Sequence, residues 1–377
     1  MKFTILKDHL TNALNDVLKA VNTKTTMPIL TGVKIEVTNE GVNLTGSDSD
    51  VTIQTFIPTE IDATEIVEIE QTGAVVLQAR MLNEIVRKLP TNKVEIELAD
   101  GVQTYIRSGK SVFHLIATDA TEYPLLPELS QDNQFTVPAN ILKAIIRKTV
   151  FAVALTESRP VLTGVSWQIE GHDLTCIATD SHRLARYKTK LEQEIGSYNV
   201  VIPGKSLNEL SKILDDTAEP VQIVITQQQV LFKAKNMLFF SRLLEGNYPD
   251  TSRLIPSDFQ TNITLNGREL FQAIDRASLL ARTNSNNVVR LTTINNGAVE
   301  ISSNSPEIGQ VQEEISLQSL DGDALKISFS AKYMMEALKA IDDDEMLIQF
   351  TGAMRPFILR PAADDTNLQL ILPVRTS

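Results

Sequence analysis

Internal repetition constrains this chain more than any other feature. Phe3-Thr4 returns as Phe135-Thr136, the run Pro28-Ile29-Leu30-Thr31-Gly32-Val33 returns as Pro160-Val161-Leu162-Thr163-Gly164-Val165, and Asp48 returns as Asp180, all at one offset of 132 residues. The second half of the unit repeats at an offset of 125, with Leu82-Asn83-Glu84 against Leu207-Asn208-Glu209 and Tyr123-Pro124 against Tyr248-Pro249. A third, weaker copy begins near Asn262: Ile263-Thr264 stands for Phe3-Thr4, Leu270 for Leu10, and Lys332 and Glu336 for Arg80 and Glu84. Loop-forming stretches at 127–133 and 256–258 separate the copies. The expected domains are therefore 1–128, 129–256 and 257–377.

Each copy carries two helical patterns among strands. Apolar residues recur at the i, i+3, i+4, i+7 spacing of a helix buried on one side. They are Leu10/Ala13/Leu14/Val17, Leu82/Ile85/Val86/Leu89, Leu142/Ile145/Ile146, Leu207/Leu210/Leu214, Leu270/Ala273/Ile274/Ala277 and Met334/Ala337/Leu338/Ile341. Alternating or β-branched runs such as 33–37, 94–98 and 221–225 read as strands. The unit is a strand, a helix and several strands, performed twice. That pattern predicts an α+β fold of antiparallel sheets with helices on one face.

Charge suggests a purpose for the repeat. The formal net charge of −12 alone argues against nucleic acid, but location matters more than the total. Counted from the first apolar residue of each helix, position +5 holds Arg87, Arg147, Lys212 and Lys339, and position −2 holds Arg80, Lys205, Arg268 and Lys332. Position +6 adds Lys88, Lys148 and Arg276. At about 100° per residue, −2 and +5 lie opposite the apolar stripe. Taken as 8–20, 80–89, 139–150, 205–214, 267–282 and 331–341, the helices hold fourteen basic and seven acidic residues, a net +7 that leaves −19 elsewhere. With Lys24, beyond the first helix, these twelve residues are the candidate DNA contacts. Long flexible cations spread over many helices suit phosphate attraction without base reading.

The chain resembles the bacterial sliding clamp family, the beta subunit of DNA polymerase III, along essentially its whole length. The resemblance rests on Met1-Lys2-Phe3-Thr4, Pro28-Ile29-Leu30, Leu44-Thr45-Gly46 with Asp48, Ala178-Thr179-Asp180-Ser181-His182-Arg183-Leu184, Tyr248-Pro249-Asp250 and Leu372-Pro373-Val374-Arg375. It implies three tandem copies of the DNA-clamp unit, sheets outside and two helices per unit inside, closing as a homodimer into a six-unit ring around duplex DNA. It implies a seam in which Phe113 and Leu115 of one chain meet Leu279 and Leu280 of the other; the alternative is that all four are ordinary core. It also implies one pocket per chain for short glutamine- and leucine-bearing peptides of the polymerase catalytic subunit, the clamp loader, and repair and translesion polymerases. The matching positions are Leu162, Thr179, Ser181, His182, Arg183, Leu184, Pro249, Arg253, Leu254, Tyr333, Met354, Pro356, Leu370, Ile371, Leu372, Pro373, Val374 and Arg375. The family commonly has Gly where this chain has Ser181, and an apolar end where this chain has Thr376-Ser377.

Other readings fare worse. Asp180-Ser181-His182 invites a hydrolase, but adjacent residues rarely reach triad geometry, and no G-x-S-x-G elbow surrounds Ser181. His9, His114, His172 and His182 show no metal-ligand spacing, and 342–345, four consecutive acids after a helix, read as a solvated loop. No phosphate-binding glycine loop appears, so neither cofactor nor catalysis is expected, and another protein must open the ring. One cysteine, Cys176, excludes an internal disulfide and points to a reducing cytoplasm; no apolar run reaches membrane-spanning length. The serious rival is a tandem-repeat scaffold that binds peptides without encircling DNA.

Overall fold

The computed structural model describes residues 1–127, 134–156, 158–281, 287–294 and 297–375. Six α-helices are present among them: α1 (Lys7–Val17), α2 (Ala79–Lys88), α3 (Ala139–Thr149), α4 (Gly204–Ile213), α5 (Gly267–Ala281) and α6 (Ala331–Ile341). The helical stripes are buried as the spacing predicts: Leu10, Ala13, Leu14 and Val17 on α1, Leu82, Ile85 and Val86 on α2, and Met334, Ala337, Leu338 and Ile341 on α6. The first helix is shorter than predicted because its last turn tightens into a 3₁₀ turn, Leu18–Ala20.

Side chains set the helix ends. Gln78 Oε1 accepts the Met81 N–H at 2.6 Å, and Asn266 Oδ1 accepts those of Arg268 and Glu269 at 3.0 Å each. Asp342 closes α6 in the left-handed region at φ 52°, Asp343 Oδ1 accepts the Glu345 N–H at 3.0 Å, and Asp344 pairs with Arg268 at 2.7 Å. The acidic run is thus the exposed loop the sequence suggested, and it also builds the exit of α6.

The chain forms two compact units, 1–140 with 209–243, and 141–208 with 244–377. An eight-stranded antiparallel sheet in the first unit runs in the order Gln134–Pro138, Pro220–Ile225, Gln229–Ala234, Met237–Arg242, Val51–Pro58, Gly41–Ser47, Gly32–Val37, Gly73–Gln78. The join between repeats is the register Met237↔Thr55 to Ser241↔Val51. A seven-stranded sheet in the second unit runs Gly164–Thr179, Arg183–Pro203, Asn367–Ile371, Phe357–Pro361, Glu345–Phe350, Thr261–Asn266, Ser319–Gly322, joined by Arg183↔Ile371 to Tyr187↔Asn367. The middle repeat thus shares one sheet with each neighbour, since backbone N–H and C=O groups at a strand edge are satisfied by the next copy's strand. The second unit's core packs α5 and α6 over strands around Phe329, Phe350 and Phe357.

Candidate functional site

The residues proposed for a peptide pocket all fall in the second compact unit. Their centre is the turn at 180–183. Asp180 Oδ1 accepts the N–H of His182 at 2.9 Å and of Arg183 at 3.1 Å, and Ser181 takes φ 75°. A left-handed residue at this point favours glycine, which gives the Gly-to-Ser departure a physical meaning: the serine fits, with backbone strain. Thr179 locks the turn, its Oγ1 donating to the Arg183 carbonyl at 2.6 Å. Tyr248 braces it from outside, its hydroxyl accepting the Thr179 N–H at 3.0 Å. Burial pushes that phenol's pKa upward, so it stays a neutral donor–acceptor.

Arg183 is not a surface cation. Its residue is 7% exposed. The guanidinium binds Asp180 at 3.0 Å, the Glu336 carboxylate of α6, and the Phe151 carbonyl at 2.5 Å. It also lies 4.5 Å from the Tyr333 ring centroid and 5.3 Å from that of Phe151. His182 stacks on Tyr333 at 6.5 Å. One side chain therefore ties the turn to α6 and to the 3₁₀ turn Val150–Ala152.

The C-terminal segment is held against the same turn. Leu184 pairs with Leu370, the Leu372 N–H donates to the His182 carbonyl at 3.0 Å, and the Val374 N–H donates to Ser328 at 2.8 Å. Beneath lies a cluster of Ile177, Leu184, Ile358, Leu368 and Leu370, with Tyr248, Ile255 and Phe259 packed on it. Leu254, Met354 and Leu372 stand uncovered at 49%, 55% and 37% exposure, apolar surface that water does not favour. Leu162 is buried and Ile371 belongs to the core; Pro249, Arg253 and Arg375 are exposed, and Pro356 and Pro373 half-buried. The sequence reading missed Asp180, Tyr248, Phe151 and Glu336 as members of the site. Asp180, Tyr248 and Glu336 carried a signal, being repeated as Asp48, Tyr123 and Glu84; Phe151 carried none.

The basic positions emerge on the outer faces of their helices. Arg80, Arg87, Arg147, Lys205, Lys212, Arg268, Lys332 and Lys339 are all exposed, as are Lys24, Lys88 and Arg276. Lys148 differs. It is half-buried, with Nζ 4.6 Å from the Tyr187 ring centroid, and its pKa is lowered by burial and then by Arg147. Several of these cations pair in exposed positions: Arg80 with Glu84 at 3.3 Å, Lys212 with Glu209 at 2.7 Å, and Arg276 with Glu313 at 2.9 Å. Exposed pairs of this kind are weak, so the cations remain available to a polyanion.

The cations' places along the helices discriminate between causes. Arg87, Lys88, Arg147, Lys148, Lys212 and Lys339 sit in last turns, where cations complement the helix dipole and need no ligand to explain them. Arg80, Lys205, Arg268 and Lys332 are each the second residue of a helix, where the dipole disfavours a cation. The dipole does not account for these four placements; Arg80 and Arg268 are met by Glu84 and Asp344 of the chain itself, and all four side chains remain exposed.

The four residues expected at a subunit seam are not core. Phe113 and Leu279 are 38% and 64% exposed, and Leu115 and Leu280 are half-buried. Phe113 and Leu115 lie on Ser111–Ile116, an edge strand of the five-stranded sheet in the first unit. Leu279 and Leu280 lie in the last turn of α5, whose unit carries another edge strand at Gly309–Ser316.

Repeated antiparallel sheets backed by paired helices define the DNA-clamp class of protein. Models of the DNA polymerase III beta subunit match the chain as its N-terminal domain over residues 1–127, its central domain over 136–250 and its C-terminal domain over 252–375. The beta sliding clamp of Bacillus subtilis is 59% identical over 377 residues, and that of Staphylococcus epidermidis 52% over 376, each alignment covering the whole of both chains. The crystal structure of the DNA polymerase sliding clamp from Bacillus subtilis superposes with a TM-score of 0.98 at 58% identity, and that of a sliding clamp from Pseudomonas aeruginosa bound to griselimycin with 0.92 at 26%, both over full lengths. The chain belongs to the DNA polymerase III beta subunit family, the sliding clamps of DNA replication.

Proposed function

We propose that two copies of this chain close head to tail into a ring, each copy contributing three units near 1–128, 129–256 and 257–377. Contacts of this kind that close make rings rather than filaments. The seam joins the edge strand bearing Phe113 and Leu115 to the partner's α5 end at Leu279 and Leu280. Exposed apolar side chains beside unpaired strand edges support that assignment.

Within the ring the duplex is held by Lys24, Arg80, Arg87, Lys88, Arg147, Lys148, Lys205, Lys212, Arg268, Arg276, Lys332 and Lys339. The observation that carries this reading is the set of first-turn cations placed against their helix dipoles. The ring performs no chemistry; it tethers. The pocket built on Arg183 receives peptide segments of the polymerase catalytic subunit, the clamp loader, and repair and translesion polymerases. Its buried clamp and uncovered apolar rim suit a short anchor entering a preformed slot. The protein works in the cytoplasm on chromosomal DNA.

The test loads the protein on circular DNA and then cuts the circle. The ring stays on circles and is lost from linear DNA. Equal loss from both forms refutes it, and a monomeric mass in solution would favour the scaffold reading.

A further inference from the structure

Beside the candidate pocket, and sharing part of its wall, lies a groove of about 480 Å³ whose other lining residues have no role above. We propose that it is an accessory subsite for an acidic flank of the peptide anchored in the pocket, with Arg355 as its specificity-determining residue. The proposal rests on the pocket reading above.

Continuity is the first argument. Arg253, Leu254 and Pro356 belong to the proposed pocket and also line this cavity. So does Phe259, whose ring packs on the cluster containing Leu184 and Leu370, the pocket's floor. The pocket and the groove therefore share part of their wall.

Charge is the second argument. Two guanidinium groups, Arg253 and Arg355, line the groove against one carboxylate, Asp258. Arg253 is held only loosely, 3.7 Å from Asp250, with its side chain 90% exposed. Arg355 is exposed and forms no ion pair among the described residues. Both lie outside the six helices, on the part of the chain that carries −19. Two unsaturated arginines there form a local exception to an acidic surface.

Preorganisation is the third. The loop carrying Arg355 is tied across its base by Thr351 Oγ1 donating to the Pro356 carbonyl at 3.1 Å, and inside by the Arg355 N–H donating to Gly352 at 3.4 Å. Gly352 at φ 133° permits that path. The half-buried Phe259 ring in the lining and the neighbouring carboxylate fit a short peptide better than a phosphate backbone, whose dense charge Asp258 would oppose.

Binding of labelled peptides to the full-length protein tests the proposal. Each peptide carries the same glutamine- and leucine-bearing anchor, extended at either end by two Asp, two Ala or two Lys. At low salt, Asp at one end should tighten binding about three- to ten-fold over Ala, and Lys should weaken it, the range expected for one or two exposed ion pairs. The gain should shrink as salt rises. It should vanish in both Arg355→Glu and Arg355→Ala, while the Ala-extended peptide binds both variants as it binds the wild type. An Asp gain that is absent at both ends, or that survives in both variants, overturns the subsite and leaves the pocket standing. So does Arg355-dependent binding of a short single-stranded oligonucleotide with no effect on the peptides. Failure of the Ala-extended peptide to bind the wild type overturns the pocket and the subsite together.

Discussion

Two turns, one in each of the first two repeats, share a backbone and part company in their side chains. In the first repeat, Asp48 Oδ1 accepts the N–H of Asp50 at 3.1 Å and of Val51 at 2.8 Å, and Ser49 takes φ 80°. In the second, Asp180 makes the same two bonds to His182 and Arg183 around Ser181 at φ 75°. The aspartate and the left-handed serine specify the turn. The residue that leaves the turn differs: Val51 is plain core at 5% exposure, whereas Arg183 at the equivalent position gathers Asp180, Glu336, Phe151 and Tyr333. Glu209, aligned with the helix-borne Glu336 through Lys212 and Lys339, instead pairs with its neighbour Lys212 at 2.7 Å. The same local turn thus sends a valine into the core in one copy and carries the arginine at the centre of the candidate site in the other, which fits one proposed peptide pocket per chain rather than two.

The largest test of that contrast removes the tail that follows the strand paired with the second turn. Deleting residues 373–377 takes away the Val374 bond to Ser328 and loosens Leu372 against His182. Peptide binding should fall at least ~100-fold, about 2.7 kcal/mol, with the dimer intact by solution mass; normal binding after truncation would disprove the pocket.

Next, Arg183→Ala should leave Glu336 and Asp180 without their cation and destabilise the second unit by about 2–4 kcal/mol, slightly below a fully buried pair because Glu336 is partly exposed. Hydrogen exchange at 179–184 should rise and peptide affinity should drop. Val51→Ala should cost about 1–2 kcal/mol of packing and leave peptide affinity unchanged. An equal effect of both variants on the peptide would erase the distinction between the two turns.

The contrast extends to the helices before these turns, where Arg147-Lys148 stands opposite Asn15-Asp16 at the 132-residue offset. Reversing Arg147 and Lys148 to Glu should weaken DNA attraction and flatten the log–log salt dependence by about two units, near 0.9 for each phosphate no longer neutralised. Asn15→Arg with Asp16→Lys should steepen it. An unchanged slope would remove α3 from the set of helices that meet DNA.

The smallest effect concerns what the turns have in common. Ser49→Gly and Ser181→Gly each relieve a left-handed serine and should stabilise by about 0.5–1 kcal/mol, read as raised melting temperature. A gain at only one position would show that the two backbones are not equivalent.

Much of this architecture was legible in the residues. The apolar spacing located all six helices to within three residues at either end, and the same rotation rule placed eight cations on exposed faces. Periodicity is a local property, and burial of one helical stripe follows from it directly. The third repeat was readable for the same reason, although few of its identities survive. Sequence also flagged the 178–184 segment, yet not what it does, since Asp180 and Ser181 shape the turn while the neighbouring arginine holds the site together.

Tertiary structure alone decided the rest. Arg183 and Glu336 are 153 residues apart, and no local pattern reports their meeting. The 21-residue strand Arg183–Pro203, with its exposed Lys190, Glu192 and Glu194, has no apolar alternation to announce it. Nor does the sequence reveal that the middle repeat divides its strands between two sheets, because edge pairing is made by backbone groups that every residue shares. Side-chain periodicity determined where the chain is helical and which face is charged. Long-range pairing of generic backbone, and one arginine drawn inside by partners distant in sequence, determined where the candidate site lies.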